Sequence, residues 1–176
     1  MNKSNAEIRI RPAIASDMDQ LCKIRNNPKQ YELYLEECDG ERAHFLVAEM
    51  NGAVVGFGLV YLDVTKTGRR KSHLPKLSDL YIDEQYRRQG VGSALILARE
   101  SMAEEYGHFE IFVSIDPEES PEMVKLAEKL GYAPIQSNPY WTTATFYDRD
   151  DKPYEKKYSR IDFRKDLKSS QASIGR

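Results

Sequence analysis

Residues 87–92 read Arg87-Arg88-Gln89-Gly90-Val91-Gly92, two guanidinium groups followed by two glycines. Before them, residues 77–82 are short and rich in β-formers, and Asp83-Glu84-Gln85 breaks that run. After them, Val91, Leu95, Ala98 and Met102 fall at the spacing of one helical face. The pattern is strand, glycine turn, helix, and its chemistry is anion binding. The first turn of a helix carries N–H groups without intrahelical partners, and the macrodipole makes that end positive. Glycines let the backbone approach a phosphate closely, and Arg87 and Arg88 add charge. The turn lacks the Gly-Lys-Ser/Thr of a nucleoside-triphosphate loop and the third glycine of the dinucleotide fingerprint.

Other side chains extend the candidate list. Asp79 lies on the strand before the turn. Residues 28–41 carry Tyr31 and Tyr34 among Glu32, Glu36, Glu37, Asp39 and Glu41. Such a carboxylate run is either a solvated helix face or a field that attracts a cation such as an amine. The basic loop of Lys66, Arg69, Arg70, Lys71 and His73 reads as a solvated hairpin tip, with anion binding as the alternative. His44, His73 and His108 are scattered, and Cys22 and Cys38 have neither metal-ligand spacing nor a disulfide framework, so no metal is expected.

The elements that must position these residues follow from period and punctuation. Residues 7–11 alternate as a first strand, ended by Pro12. Ser16-x-x-Asp19 starts a helix that stops at Asn26-Asn27-Pro28, and residues 28–41 form a second, irregular helical segment. Strands at 44–50 and 53–64 are joined by Asn51-Gly52, a strong hairpin signal, while Gly56 and Gly58 suggest a bulge or a close backbone approach. A strand at 109–115 is followed by a helix begun by Ser120-Pro121 and closed by Gly131. Residues 140–147 and 158–165 read as closing strands, with a charged loop at 148–157. The order predicts an α/β fold with one mixed, mostly antiparallel central sheet flanked by helices. Residues 1–167 are expected to form one domain and 168–176 a disordered tail.

With 176 residues the chain is long enough for one real core. A formal net charge of -2 gives no global pull toward nucleic acid or an anionic membrane. No apolar run reaches spanning length and the N-terminus lacks a signal-peptide core, so a cytoplasmic protein is expected.

Arg87-x-x-Gly90-x-Gly92, preceded by Asp79-Leu80-Tyr81-Ile82, resembles the Gln/Arg-x-x-Gly-x-Gly/Ala signature of the GCN5-related N-acetyltransferases (GNAT). Leu126-Ala127-Glu128-Lys129-Leu130-Gly131-Tyr132 resembles that family's Leu-Tyr-Glu-Lys-Leu-Gly-Phe segment, in the expected order. The opening Ile10-Arg11-Pro12-Ala13 followed by Ser16-Asp17 is similar too, so the likeness spans residues 7–165. It implies a GNAT-like acyl-CoA N-acyltransferase fold and acetyl-CoA as co-substrate. The implied pyrophosphate cradle is Arg87, Arg88, Gln89, Gly90, Val91, Gly92 and Ser93. The backbone of Leu80, Tyr81 and Ile82 would polarise the thioester. Residues 28–41, with Tyr31, Tyr34, Glu36 and Glu37, would wall the acceptor site. A homodimer is common in such proteins.

Acyl transfer to an amine also needs a proton acceptor and a leaving thiolate. An ammonium with a pKa of about 10.4 cannot attack, and a carboxylate can take its proton. The resemblance makes Asp79 the first candidate base, with Glu36, Glu37 and Asp39 behind it. An oxyanion-type donor on the strand is worth roughly 3–4 kcal/mol. The tyrosine that usually protonates the thiolate is replaced by Ala127. Either the thiolate leaves unaided, its pKa being about 8.5, or Tyr140 or Tyr132 supplies the proton. The reading is an N-acetyltransferase that moves an acetyl group to a primary amine, on a cationic small molecule or a protein, by direct attack on the thioester. The rival class is a catalytically weak acyl-CoA-binding regulatory module.

Overall fold

The computed structural model describes residues 7–65, 67–68, 73–148, 150 and 152–167. Lys66, Arg69, Arg70 and Lys71 of the basic loop, and the expected tail, lie outside the described residues. Among the described residues, eight strands and four helices follow in the order β1 Arg9–Pro12, α1 Met18–Ile24, α2 Pro28–Glu37, β2 Ala43–Met50, β3 Ala53–Tyr61 and β4 Lys76–Ile82, then α3 Val91–Tyr106, β5 Glu110–Ile115, α4 Pro121–Lys129, β6 Ala133–Pro134, β7 Tyr140–Tyr147 and β8 Pro153–Asp166. The strands run in the order β1-β2-β3-β4-β5-β8-β6, with β7 paired to β8. The β4–β5 pair is parallel and the others are antiparallel, as the mixed pattern predicts.

Helices pack on opposite faces of the sheet. On one face, Ile96 and Ala103 of α3 and Ala127 of α4 pack with Leu77, Ile111, Val113, Ile115 and Phe163. On the other, Leu21 of α1 and Tyr31 of α2 pack with Phe45, Val47, Phe57 and Leu59. Burying each of these large side chains contributes about 1.5–3 kcal/mol. No helix among the described residues is long and apolar enough to cross a membrane.

Local differences from the sequence reading have physical causes. The first helix is not started by Ser16 and Asp19. A 3-10 turn at Ala15–Asp17 precedes it, and buried Asp17 accepts the Ile14 N–H at 2.9 Å while Arg11 grips both its oxygens at 2.8 Å. Asn27 caps α2, which ends at Glu37 because Asp39 turns the chain by accepting the N–H groups of Glu41, Arg42 and Ala43. The second half of the charged connection at 148–157 is strand: β8 begins at Pro153 and pairs with β7 through Arg160 in a two-stranded ribbon. Its charges mask the β pattern because the ribbon faces solvent on both sides.

Candidate active site

The site begins where the sheet comes apart. β4 and β5 pair only at Lys76 with Phe112 and Leu77 with Val113. Beyond that point they diverge, leaving a cleft of about 370 Å³ lined by Leu77, Ser78, Asp79, Leu80, Arg99, Val113, Ser114, Ile115, Asp116, Ser120, Met123, Tyr158 and Arg160, with Lys76 at its base. A parallel pair that opens exposes backbone groups that a continued ladder would have used.

A bulge aims that backbone. On β3, Gly58 pairs with Leu80 and the next residue, Leu59, with Ser78, so Asp79 is the extra residue. Its φ of 35° lies in the left-handed region, which aspartate enters more readily than most residues. Above the bulge, the Arg25 guanidinium grips the Asp79 carboxylate at 3.0 and 2.5 Å, and Tyr34 donates its hydroxyl at 2.7 Å. Below it, wholly buried Arg99 donates to the carbonyls of Leu59 at 2.8 Å and Ser78 at 3.2 Å. Burial pushes the Arg99 guanidinium down to about 10, still charged at neutral pH. Gly58 is the close approach that its sequence position suggested: a Cβ there would lie 2.8–3.2 Å from the Arg99 guanidinium.

The turn after β4 has the geometry of an anion cradle. Gly90 caps α3 with φ 89°, Arg88 has φ 63°, and Ala94 makes the first intrahelical bond, to Gly90 O at 2.9 Å. The N–H groups of Val91, Gly92 and Ser93 precede that bond and face the turn. Side chains divide the work. Arg87 folds back, donating from Nε to Ile82 O at 3.0 Å and covering the Tyr81 ring, and Gln89 donates to Gln85 O. Arg88 is exposed and Val91 is buried in the core. Gly92 serves packing, since a Cβ there would touch Leu126 of α4 at 3.4 Å. The cradle and the cleft between β4 and β5 suit a pyrophosphate carrying a long thin arm.

The structure redistributes the other candidates. Asp79, expected as the base, lines the cleft but spends both oxygens on Arg25 and Tyr34, so it clamps the bulge. Tyr31 is removed from any acceptor wall: it is buried between Phe45 and Phe57 and donates to Arg25 O at 2.6 Å. Glu37 is likewise buried and accepts the Tyr61 hydroxyl at 2.8 Å, whereas Glu36 and Asp39 are exposed. Burial, together with the Asp79 carboxylate beside it, raises the Tyr34 hydroxyl far above the usual phenol range. Tyr132 is closed off in the core, donating to Glu100 at 2.7 Å. Tyr140 donates to Asp162 at 3.0 Å, and burial together with that carboxylate raises its hydroxyl. Ala127 is in the core, so α4 presents Ser120 and Met123 to the cleft and no tyrosine.

Sequence reasoning missed Arg25, Arg99, Ser114 and Asp162. Arg99 had left a trace, because Val91, Leu95, Arg99 and Ala103 recur every fourth residue on a buried stripe. Ser114 and Asp162 alternate with Val113, Ile115, Ile161 and Phe163 and so read as solvated strand positions. Among the described residues, no group of three or more His, Cys, Asp and Glu side chains is gathered as a metal site.

Comparison with known proteins places the chain in a family. The model of the acetyltransferase (GNAT) family matches residues 13–132. An N-alpha-acetyltransferase from Sulfurisphaera tokodaii is 34% identical over 146 residues, covering 76% of this chain and 85% of the relative. The ribosomal-protein-S18-alanine N-acetyltransferase of Escherichia coli superposes with a TM-score of 0.62 at 16% identity, over 97% of this chain and 100% of that one. A phosphinothricin acetyltransferase from Sinorhizobium meliloti, solved in complex with acetyl-CoA, gives 0.64 at 17% identity, over 96% and 93%. These two share the fold. The chain therefore belongs to the GNAT family of acetyltransferases and is an acetyl-CoA-dependent N-acetyltransferase.

Proposed function

We propose that the protein transfers the acetyl group of acetyl-CoA to the α-amine at the N-terminus of a polypeptide, by direct attack of that amine on the thioester. The observation that carries direct transfer is the composition of the cleft. Neither cysteine lines it: Cys22 on α1 and Cys38 after α2 pack against the core beneath α1 and α2. A thiol that relayed the acetyl group would have to reach the thioester. The acceptor class rests on the relative, an N-alpha-acetyltransferase that this chain matches over most of both lengths.

In this reading the turn at Arg88, Gly90, Val91, Gly92 and Ser93 holds the pyrophosphate. The bulged backbone of Leu80, Tyr81 and Ile82 lies along the arm and polarises the thioester carbonyl. The bulge is held from above by Arg25 and Asp79 and from below by Arg99. The thiolate departs with no tyrosine on α4, consistent with its low basicity. The test is a pair of peptides of one sequence, one with a free N-terminus and one blocked there but carrying a lysine. Mass spectrometry should find the acetyl group on the free α-amine and a far slower reaction at lysine. Acetylation of lysine alone would refute the acceptor assignment.

A further inference from the structure

We propose that Ser114 and Asp162 form the relay that takes the proton from the acceptor's ammonium group, with Ser114 touching the amine and Asp162 storing the proton. The inference rests on the amine-acetyltransferase reading above and adds a route for the proton.

Position comes first. The β4–β5 ladder ends at Leu77 and Val113, so Ser114 is the first residue of β5 at the apex of the opening, and it lines the cleft. An arm that enters from the glycine turn at the far end of β4 brings its reactive end to this apex. Val113 and Ile115 point into the core beneath α3, so Ser114 points to the other face of the sheet. Asp162 is its direct cross-strand partner on β8.

Chemistry comes second. The Ser114 hydroxyl donates to Asp162 Oδ1, and Tyr140 donates to the same oxygen at 3.0 Å. Asp162 is 6% exposed, so a bulky amine does not reach it directly and the serine stands between. A hydroxyl both donates and accepts, so it can pass a proton on, whereas the guanidinium that holds Asp79 only donates and is not deprotonated in proteins. Asp79 is pinned by the Arg25 guanidinium as well as by the Tyr34 hydroxyl. Asp116, just past the end of β5, is taken up by the N–H groups of Glu118 and Glu119 and lies 3.9 Å from Arg160. Both hydrogen bonds to Asp162 Oδ1, by contrast, come from hydroxyls, one of them on the cleft residue Ser114. The groups around it are Ser114 from β5, Tyr140 from β7, His73 from the segment before β4, whose Nε2 lies 3.6 Å from Oδ2, and Arg160 and Arg164 two residues away on β8. His73 is itself fixed by stacking on Phe112 at 5.1 Å.

The step balances. The ammonium gives a proton to the Ser114 oxygen as Ser114 passes its own hydrogen to Asp162, leaving a neutral amine, an intact serine and a protonated carboxyl. The amine nitrogen then forms its bond to the thioester carbon and the C–S bond breaks. The second amine proton ends on the departing coenzyme A thiolate, and Asp162 returns its proton to solvent through Ser114.

The test uses the intact protein, acetyl-CoA and a peptide with a free N-terminus, with coenzyme A release followed from pH 6 to pH 10. Asp162→Asn and Ser114→Ala should each lower kcat near neutral pH by about 100-fold, the scale of general-base catalysis. Both rates should climb toward wild type as the pH nears that of the free amine, and Ser114→Thr should restore the neutral rate. Acetyl-CoA affinity should be unchanged in all three. A wild-type pH profile in either variant overturns the relay, as does a loss equal at every pH. If wild type binds acetyl-CoA yet acetylates no amine at any pH, the acceptor reading fails first and the relay falls with it.

Discussion

At the scale of single residues, Asp79 stands at the bulge of β4 with both carboxylate oxygens taken up by Arg25 and Tyr34. Its place on β4 before the glycine turn was legible in the sequence. Its partner was not, since Arg25 is 54 residues away and follows a short helix with no signature of its own. The pair is partly buried, with side chains 30% and 19% exposed, and Tyr34 completes it. Asp79→Asn keeps the size and removes the charge, leaving Arg25 poorly compensated beside Phe57 and Tyr81. We expect a stability loss of about 2 kcal/mol, below that of a fully buried pair because solvent screens this one. In a protein of this size that lowers Tm by about 4–8 °C. The dependence of rate on pH should survive in the folded variant. A profile that flattens on Asp79→Asn would make Asp79 the base after all.

At the scale of elements, the hairpin of β2 and β3, the strand-turn-helix of β4 and α3, and α4 all lie where turn residues and apolar period put them. The sequence could not show which buried carbonyls the bulge leaves unpaired, because bulges depend on cross-strand register. Arg99 supplies the missing donor from α3, and Gly58 makes room for it. Gly58→Ala would drive a methyl group against a guanidinium that has no exposed direction to yield in. Overpacking of this kind costs about 1–3 kcal/mol. The expected result is a lower Tm together with weaker coenzyme A release, since the bulge that aims the Leu80 backbone shifts. An unchanged Tm would mean that Arg99 moves freely and does not brace the strand. The strand at β7 was legible, and the first part of β8, from Pro153 to Lys157, was the largest miss among the elements. Its alternating charges and aromatics, such as Lys156 and Lys157 beside Tyr154 and Tyr158, resemble a loop when no buried face marks the period.

At the scale of the whole molecule, the proposed site is organised by the break between β4 and β5. Antiparallel pairing elsewhere among the described strands keeps them in register, and the parallel pair of β4 and β5 is released after Leu77 and Val113. The glycine turn stands at the open end of that break, the braced bulge along one wall, and Ser114 at its apex. The glycine turn was readable as an element because its glycines and arginines are contiguous. The proton route was not, because Ser114 and Asp162 meet only across strands 48 residues apart. The central claim is that turn and cleft make one acetyl-CoA site. The measurement that tests it most directly is calorimetric titration of acetyl-CoA, coenzyme A and ATP into wild type and Gly90→Glu. The two coenzyme A species should bind wild type, ATP should not, and Gly90→Glu should lose at least about tenfold in affinity, since φ 89° disfavours a side chain and the added carboxylate repels phosphate. Failure of acetyl-CoA to bind wild type, or equal binding by Gly90→Glu, would contradict the account.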